Sequence, residues 1–177
     1  MPEDPEVPTE HLHEAIHEEA EKGASWVMAV ALSTAVLAVL AAITALLAGN
    51  HANEAMMDQI QASDQWAFYQ AKGIKAAVLE SKSELLKGLG KEPAAGDEEK
   101  LEKYKSDQKE IQAVAEEKTH ASEAHLARHE TLAKGVTVFQ VSIAIAAIAV
   151  LTRRRWMWFT SMLLGLCGCV FLVLGII

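Results

Sequence analysis

Three stretches of this chain carry no charged side chain: Ala24 to Gly49, Gly135 to Thr152 and Trp156 to Ile177. A helix rises about 1.5 Å per residue, so each is long enough, or nearly so, to cross a hydrocarbon layer about 30 Å thick. Inside that layer every backbone N–H and C=O needs a partner from the chain itself, which a helix supplies. The expected fold is all-α with three transmembrane helices, at 24–49, 135–152 and 156–177. The polar remainder, 1–23 and 50–134, does not resemble a globular domain, and no separate soluble core is expected.

The formal charge of -8 includes no basic stripe, and the long polar segment mixes twelve Lys and Arg with sixteen Asp and Glu. Nucleic acid is thereby excluded as a partner. Cys167 and Cys169 stand at i and i+2 within the last apolar stretch, pointing to different faces of a helix, which argues against a mutual disulfide or a paired-cysteine metal site.

Residues 1–23 form an acidic, proline-punctuated tail or amphipathic helix, the opposite of a basic secretory leader, so the first span is expected to be retained as an anchor. Basic residues close to the spans set orientation: Lys22, Arg153, Arg154 and Arg155 share one side, against Arg128 and Lys134 on the other. The amino terminus and the arginine turn at 153–155 should face the cytoplasm. Trp26, Trp156 and Trp158 fall where spans enter from that side, as an interfacial belt would, and the arginines also suit anionic lipid headgroups. The segment 50–134 and the carboxy terminus are then extracytoplasmic.

Prolines occur only at positions 2, 5, 8 and 93. With nothing to break a helix between Thr9 and Glu92, the segment KGLGKEPAAGDEE reads as one turn near 88–97 between two helical arms, Asp97, Glu98 and Glu99 suiting the positive end of the second. The polar segment is therefore expected to be a long antiparallel helical hairpin continuing from spans 1 and 2, each arm extending about 57 Å. A turn centred on Pro93 pairs Asn50 with about Lys134, and brings His51 and Glu54 near Glu130 and Thr131.

In the first span Ala31, Ala35, Ala38, Ala42, Ala45 and Gly49 recur at steps of four and three. Such a small-residue seam lets helix backbones approach closely in lipid, where little solvent-driven attraction exists. It runs on through Ala52 and Met56. Met56, Ile60, Ala67, Ala71, Ile74, Val78 and Leu85 form an apolar stripe on the first arm, and Leu101, Tyr104, Ile111, Ala115, Leu132 and Val136 one on the return arm. So thin a core predicts that other copies pack around it, giving a homo-oligomer. Ser161, Gly165, Gly168 and Gly175 mark a small-residue packing face on the last span, and Gln140 and Ser142 add polar atoms to the second.

His13, Glu14 and His17 in HEAIH match the spacing of a zinc-protease motif, but a tail this short supplies neither a third ligand nor a cleft. His120, His125 and His129 lie on the return arm, with His125 and His129 one helical turn apart. His13, His17, His125 and His129 are thus the candidate metal ligands, while no cofactor and no catalytic residue is expected. Trp66, Phe68 and Tyr69 make the densest aromatic patch outside the spans, suited to packing within the stalk or to contact with a protein partner. GLGK at 88–91 lacks the frame of a phosphate loop.

The segment NHANEAMMDQIQASDQWAFYQAKGIKAAVLE, the later helical arm and the RRRW turn resemble a bacterial membrane-protein family catalogued as domain of unknown function 4337. The likeness extends from Gly23 to Ile177 and is sharpest over Ser63 to Lys75, with Asp64, Gln65, Trp66, Tyr69, Gln70 and Lys72. It implies a bacterial inner-membrane protein and carries no activity, cofactor or site with it. The function expected is that of a non-enzymatic structural or accessory protein, lodged in a lipid bilayer and organising partners through a helical stalk. Two other classes stay open: a homo-oligomeric channel with Gln140, Ser142 or small faces around a path, and a metal- or pH-responsive protein using its histidines.

Overall fold

The computed structural model describes the backbone from Thr9 onward and side chains from Gly23 onward, Ala24 apart. Three helices account for it: α1 (Thr9–Gly88), α2 (Asp97–Thr152) and α3 (Arg155–Ile176). No strand occurs among the described residues. Each helix contains a segment long and apolar enough to cross a membrane. HEAIH, with His13 and His17, lies outside the described side chains, as does the acidic tail before it.

Both helix ends that turn back use the same device. At the end of α1 the Lys91 N–H donates to Leu86 O at 2.8 Å and the Gly90 N–H to Lys87 O at 3.0 Å, with Gly90 at φ +69. This pair of bonds satisfies carbonyls left over by the helix, and the left-handed residue between them favours glycine. At the end of α2 the Arg154 N–H donates to Ala149 O and the Arg153 N–H to Val150 O, both at 3.2 Å. Here Arg153, at φ 53, holds the left-handed position, a strain of about 1–2 kcal/mol for a residue with a Cβ. Arg155 opens α3, so the corner itself is Arg153 and Arg154.

The chain divides into two compact units. One holds the described residues up to Leu46 with Thr131–Ile177, the other Leu47–Glu130. In the first, Leu37 and Ala41 of α1 and Phe139 of α2 form the core, flanked by Leu40, Ile143, Met162 and Cys169. The buried residues of α3 are Ser161, Gly165, Gly168 and Gly175, the small face expected for packing. Their size is used directly: a Cβ at Gly168 would lie 2.8 Å from the Phe139 ring, and one at Gly175 would lie 2.5 Å from Leu132. Ser142 and Ser161 exchange bonds, each hydroxyl donating to the other's backbone carbonyl, at 2.5 and 2.8 Å. A polar group buried among apolar helices is stabilised only when satisfied in this way.

In the second unit α1 and α2 pair antiparallel. Ala48, Ala55, Ala62 and Ala76 are buried at steps of seven or fourteen, and across from them lie Ile111, Ala115 and Ser122. A seven-residue step keeps side chains in one seam, and alanine lets the backbones come close. The rest of the α1 seam is polar and partly buried, at His51, Asp58, Gln65 and Lys72. Lys118 meets Asp58 at 3.1 Å and Lys72 meets Asp107 at 2.6 Å across it.

Two expectations for the hairpin are corrected. The stripe Met56, Ile60, Ala67, Ala71, Ile74, Val78 and Leu85 does not face α2; Met56 is 60% exposed, and Ile74 and Leu85 are each 66% exposed. Turning that stripe inward would place Lys118 and Asp107 against apolar side chains and strip Asp58 and Lys72 of their partners, a larger loss than the apolar area gained. The return-arm stripe, Leu101, Tyr104, Ile111, Ala115, Leu132 and Val136, is buried or partly buried as expected.

The second correction is register. Asn50 sits between contacts that link Ala48 to His129 and His51 to His125, not opposite Lys134. The cause lies in the connection: α2 starts beside Lys82, whose Nζ is 2.8 Å from Asp97 Oδ2, while α1 continues past it to Gly88. Residues 89–96 therefore run back along the last turns of α1 instead of bridging two helix ends at one level.

Candidate metal centre

The corrected register brings histidines of both arms together. His51 Nδ1 and His125 Nδ1 are 3.1 Å apart, with the rings stacked at a centroid distance of 5.3 Å. Glu54 Oε2 lies 3.3 Å from His51 Nδ1 and 3.0 Å from His125 Nδ1. Two imidazole nitrogens and one carboxylate oxygen thus form a nearly equilateral triangle. Among the described residues it is the group of histidine, cysteine or acidic side chains placed to hold a metal ion.

The surroundings hold these donors in place. Seven residues separate His51 from Asp58, and Lys118 from His125, so each pair stays in the interhelical seam. One turn to either side, a side chain of α2 bonds a backbone carbonyl of α1: Ser122 Oγ donates to Ala55 O and His129 Nδ1 to Ala48 O, each at 2.8 Å. The other nitrogen of His125, Nε2, faces Asp58 Oδ2 at 3.9 Å, while Asp58 Oδ1 takes Lys118 Nζ. An ion held at Nδ1 would leave the ring proton of His125 at Nε2, on the side of the Asp58 carboxylate. His51 and His125 are largely covered, whereas Glu54 is 54% exposed and opens the site to solvent.

Of the candidate ligands His125 and His129, the structure brings only His125 into the cluster. Its partners are His51 and Glu54, and His129 spends Nδ1 on Ala48. His120 is exposed beside Glu123, apart from the triangle. The seven-residue spacings of His51 to Asp58 and of Lys118 to His125 are the signal in the sequence for the cross-helix set; the helical-turn spacing of His125 and His129 marks one face of α2 and carries no information about α1.

The other predicted positions fall elsewhere. Trp66 and Tyr69 pack edge to face at 5.6 Å, and Phe68 points outward, with Lys72 Nζ 5.3 Å from both the Phe68 and Tyr104 rings. Gln108 Nε2 donates to Tyr69 O at 3.3 Å over Gly73, where a Cβ would lie 2.8 Å from that nitrogen. Ala31, Ala35, Ala38, Ala42, Ala45 and Gly49 are all exposed in the single chain, on a face about one residue round from the buried one. At the arginine corner Arg155 sits 6.0 Å over the Trp26 ring, Trp158 Nε1 donates to Ser33 Oγ at 3.1 Å, and Trp156 is exposed.

Residues 26–177 match a family described as Domain of unknown function (DUF4337). No curated protein and no solved structure matches the chain.

Proposed function

The chain belongs to the DUF4337 family, and from what its helices leave uncovered we propose that it is a structural or accessory membrane protein that self-associates along α1. The three apolar segments would cross the inner membrane of a bacterium. The amino terminus and the Arg153–Arg155 corner would lie in the cytoplasm, and the hairpin outside it. In this reading the hairpin serves as a stalk that presents surfaces to neighbouring proteins, with Trp66 and Phe68 among the contacts.

The observation that carries this reading is the exposed row of Met56, Ile60, Ile74, Val78 and Leu85 on α1 within the second unit. Large side chains open to lipid need no cover, but this row lies beyond the apolar span, where water would meet it. Contiguous apolar surface of this kind marks an interface. Met56, where the steps of four and three running on from Ala31 end, begins this row, and a run of exposed apolar side chains suits a second copy of the same helix. Arg153 supports the orientation: a strained left-handed position is occupied by an arginine although glycine would fit it without strain.

Native mass measurement in detergent, combined with cysteine crosslinking at Ala38, Ala45 and Val78, tests the assembly. Oligomers crosslinked at all three positions support it. A monomer at every protein concentration, uncrosslinked, refutes it.

A further inference from the structure

We propose that His51, Glu54 and His125 bind one divalent transition-metal ion of the zinc class, pinning α1 to α2 in the second unit. The proposal goes beyond the assembly reading and is independent of it, because all three ligands come from one chain.

Distances select the class of ion. Donors bonded at about 2.0–2.2 Å to one tetrahedral ion stand about 3.3 Å apart, and those on one face of an octahedron about 3.0 Å. The triangle found here has sides of 3.0, 3.1 and 3.3 Å. Two imidazoles with one carboxylate suit zinc, cobalt or nickel; calcium and magnesium require mostly oxygen donors. Three protein ligands leave a coordination position for water or another ligand.

Electrostatics point the same way. His51 Nδ1, His125 Nδ1 and Glu54 Oε2 converge within 3.3 Å of one another, and three such electron-rich atoms repel unless a proton or a cation lies between them. A cation at the centre of the triangle converts those contacts into ligand bonds. The second histidine comes from the other helix, so a bound ion crosslinks the arms across a seam of alanine and polar side chains. The Ser122 and His129 bonds hold the two helices in register on either side before any ion arrives, and the exposed edge at Glu54 provides entry.

The test uses the full chain in detergent micelles, stripped with a chelator and titrated with Co2+ as an optical probe, then with Zn2+ in competition. One Co2+ per chain should bind, its visible bands vanishing as Zn2+ displaces it. His51→Ala and His125→Ala should each weaken binding more than about 100-fold, and Asp58→Asn, acting through His125, about 10–100-fold. His120→Ala should leave it unchanged. X-ray absorption at the zinc edge of the unmutated protein, free of any concern about variant folding, should show two imidazoles bound to the ion. Absence of stoichiometric binding, binding that survives both histidine substitutions, or an ion lost only when His13 and His17 are replaced would overturn the proposal. A monomeric protein that still binds one ion would refute the assembly reading and leave this one standing.

Discussion

Gly168→Ala adds one carbon where the α3 backbone meets Phe139, the largest fully buried side chain. The new Cβ would lie 2.8 Å from Cδ1 and Cε1 of Phe139 and 3.0 Å from Cζ. Nonbonded carbons rest at about 3.5–4.0 Å, so the ring or α3 has to yield by more than half an ångström. Phe139 is fully buried and belongs to the core with Leu37 and Ala41, which leaves it little room. Overpacking of this kind costs about 1–3 kcal/mol. Alanine offsets part of that as a better helix former, by at most about 1 kcal/mol, and by less in lipid, where the backbone stays hydrogen-bonded in any case. The expected net loss is about 1–2 kcal/mol. Phe139→Leu removes the ring, so in that background Gly168→Ala should become neutral or mildly stabilising, a coupling of about 2 kcal/mol. Equilibrium unfolding in mixed micelles with increasing denaturing detergent, followed by tryptophan fluorescence, measures all four corners of the cycle. If Gly168→Ala stabilises both backgrounds equally, helix propensity governs and the close approach of Phe139 to α3 is refuted.

Other outcomes follow from particular contacts. Ala38 is exposed in the single chain, so Ala38→Leu should leave monomer unfolding nearly unchanged while overfilling the proposed seam; an unaltered oligomer mass would remove that seam from the interface. Ser122→Ala removes a buried bond to Ala55 O and should destabilise the hairpin by about 1 kcal/mol, read as lost amide protection in residues 47–130. Asp97 accepts a hydrogen bond from Lys82, which, with the charges of Lys82 and Lys100 and against partial desolvation, holds its carboxyl below the ordinary 3.8. A depressed folded value means the stabilisation is complete above the unfolded pKa and is lost as pH falls through the folded one. Asp97→Asn should therefore weaken the turn at neutral pH and match the parent chain in strong acid, in urea unfolding followed across pH. Arg153→Gly should relieve the left-handed strain and stabilise the corner by about 1 kcal/mol in the same micelle assay; a loss instead would show that the arginine side chain outweighs its backbone cost.

Much of the architecture is local and so legible in the residues alone. Charge-free length marks the three helical segments apolar enough to cross a membrane, the lack of proline between Thr9 and Glu92 lets α1 run unbroken to Gly88, and Gly90 and Asp97 mark where the arms stop and start. The small face of α3 was readable as well, because close packing needs Ser161, Gly165 and Gly168 whatever their partners. Tertiary structure decided two things. One is the face of α1 that meets α2. Its Met56 to Leu85 row and its Ala48 to Ala76 row are both periodic, and only the partners offered by α2, Lys118 to Asp58 and Asp107 to Lys72, choose between them. The other is register, and with it the meeting of His51, Glu54 and His125. Helical periodicity states which residues share a face but says nothing of how far one helix slides along another, and here a connection folding back from Gly88 to begin α2 beside Lys82 sets that offset.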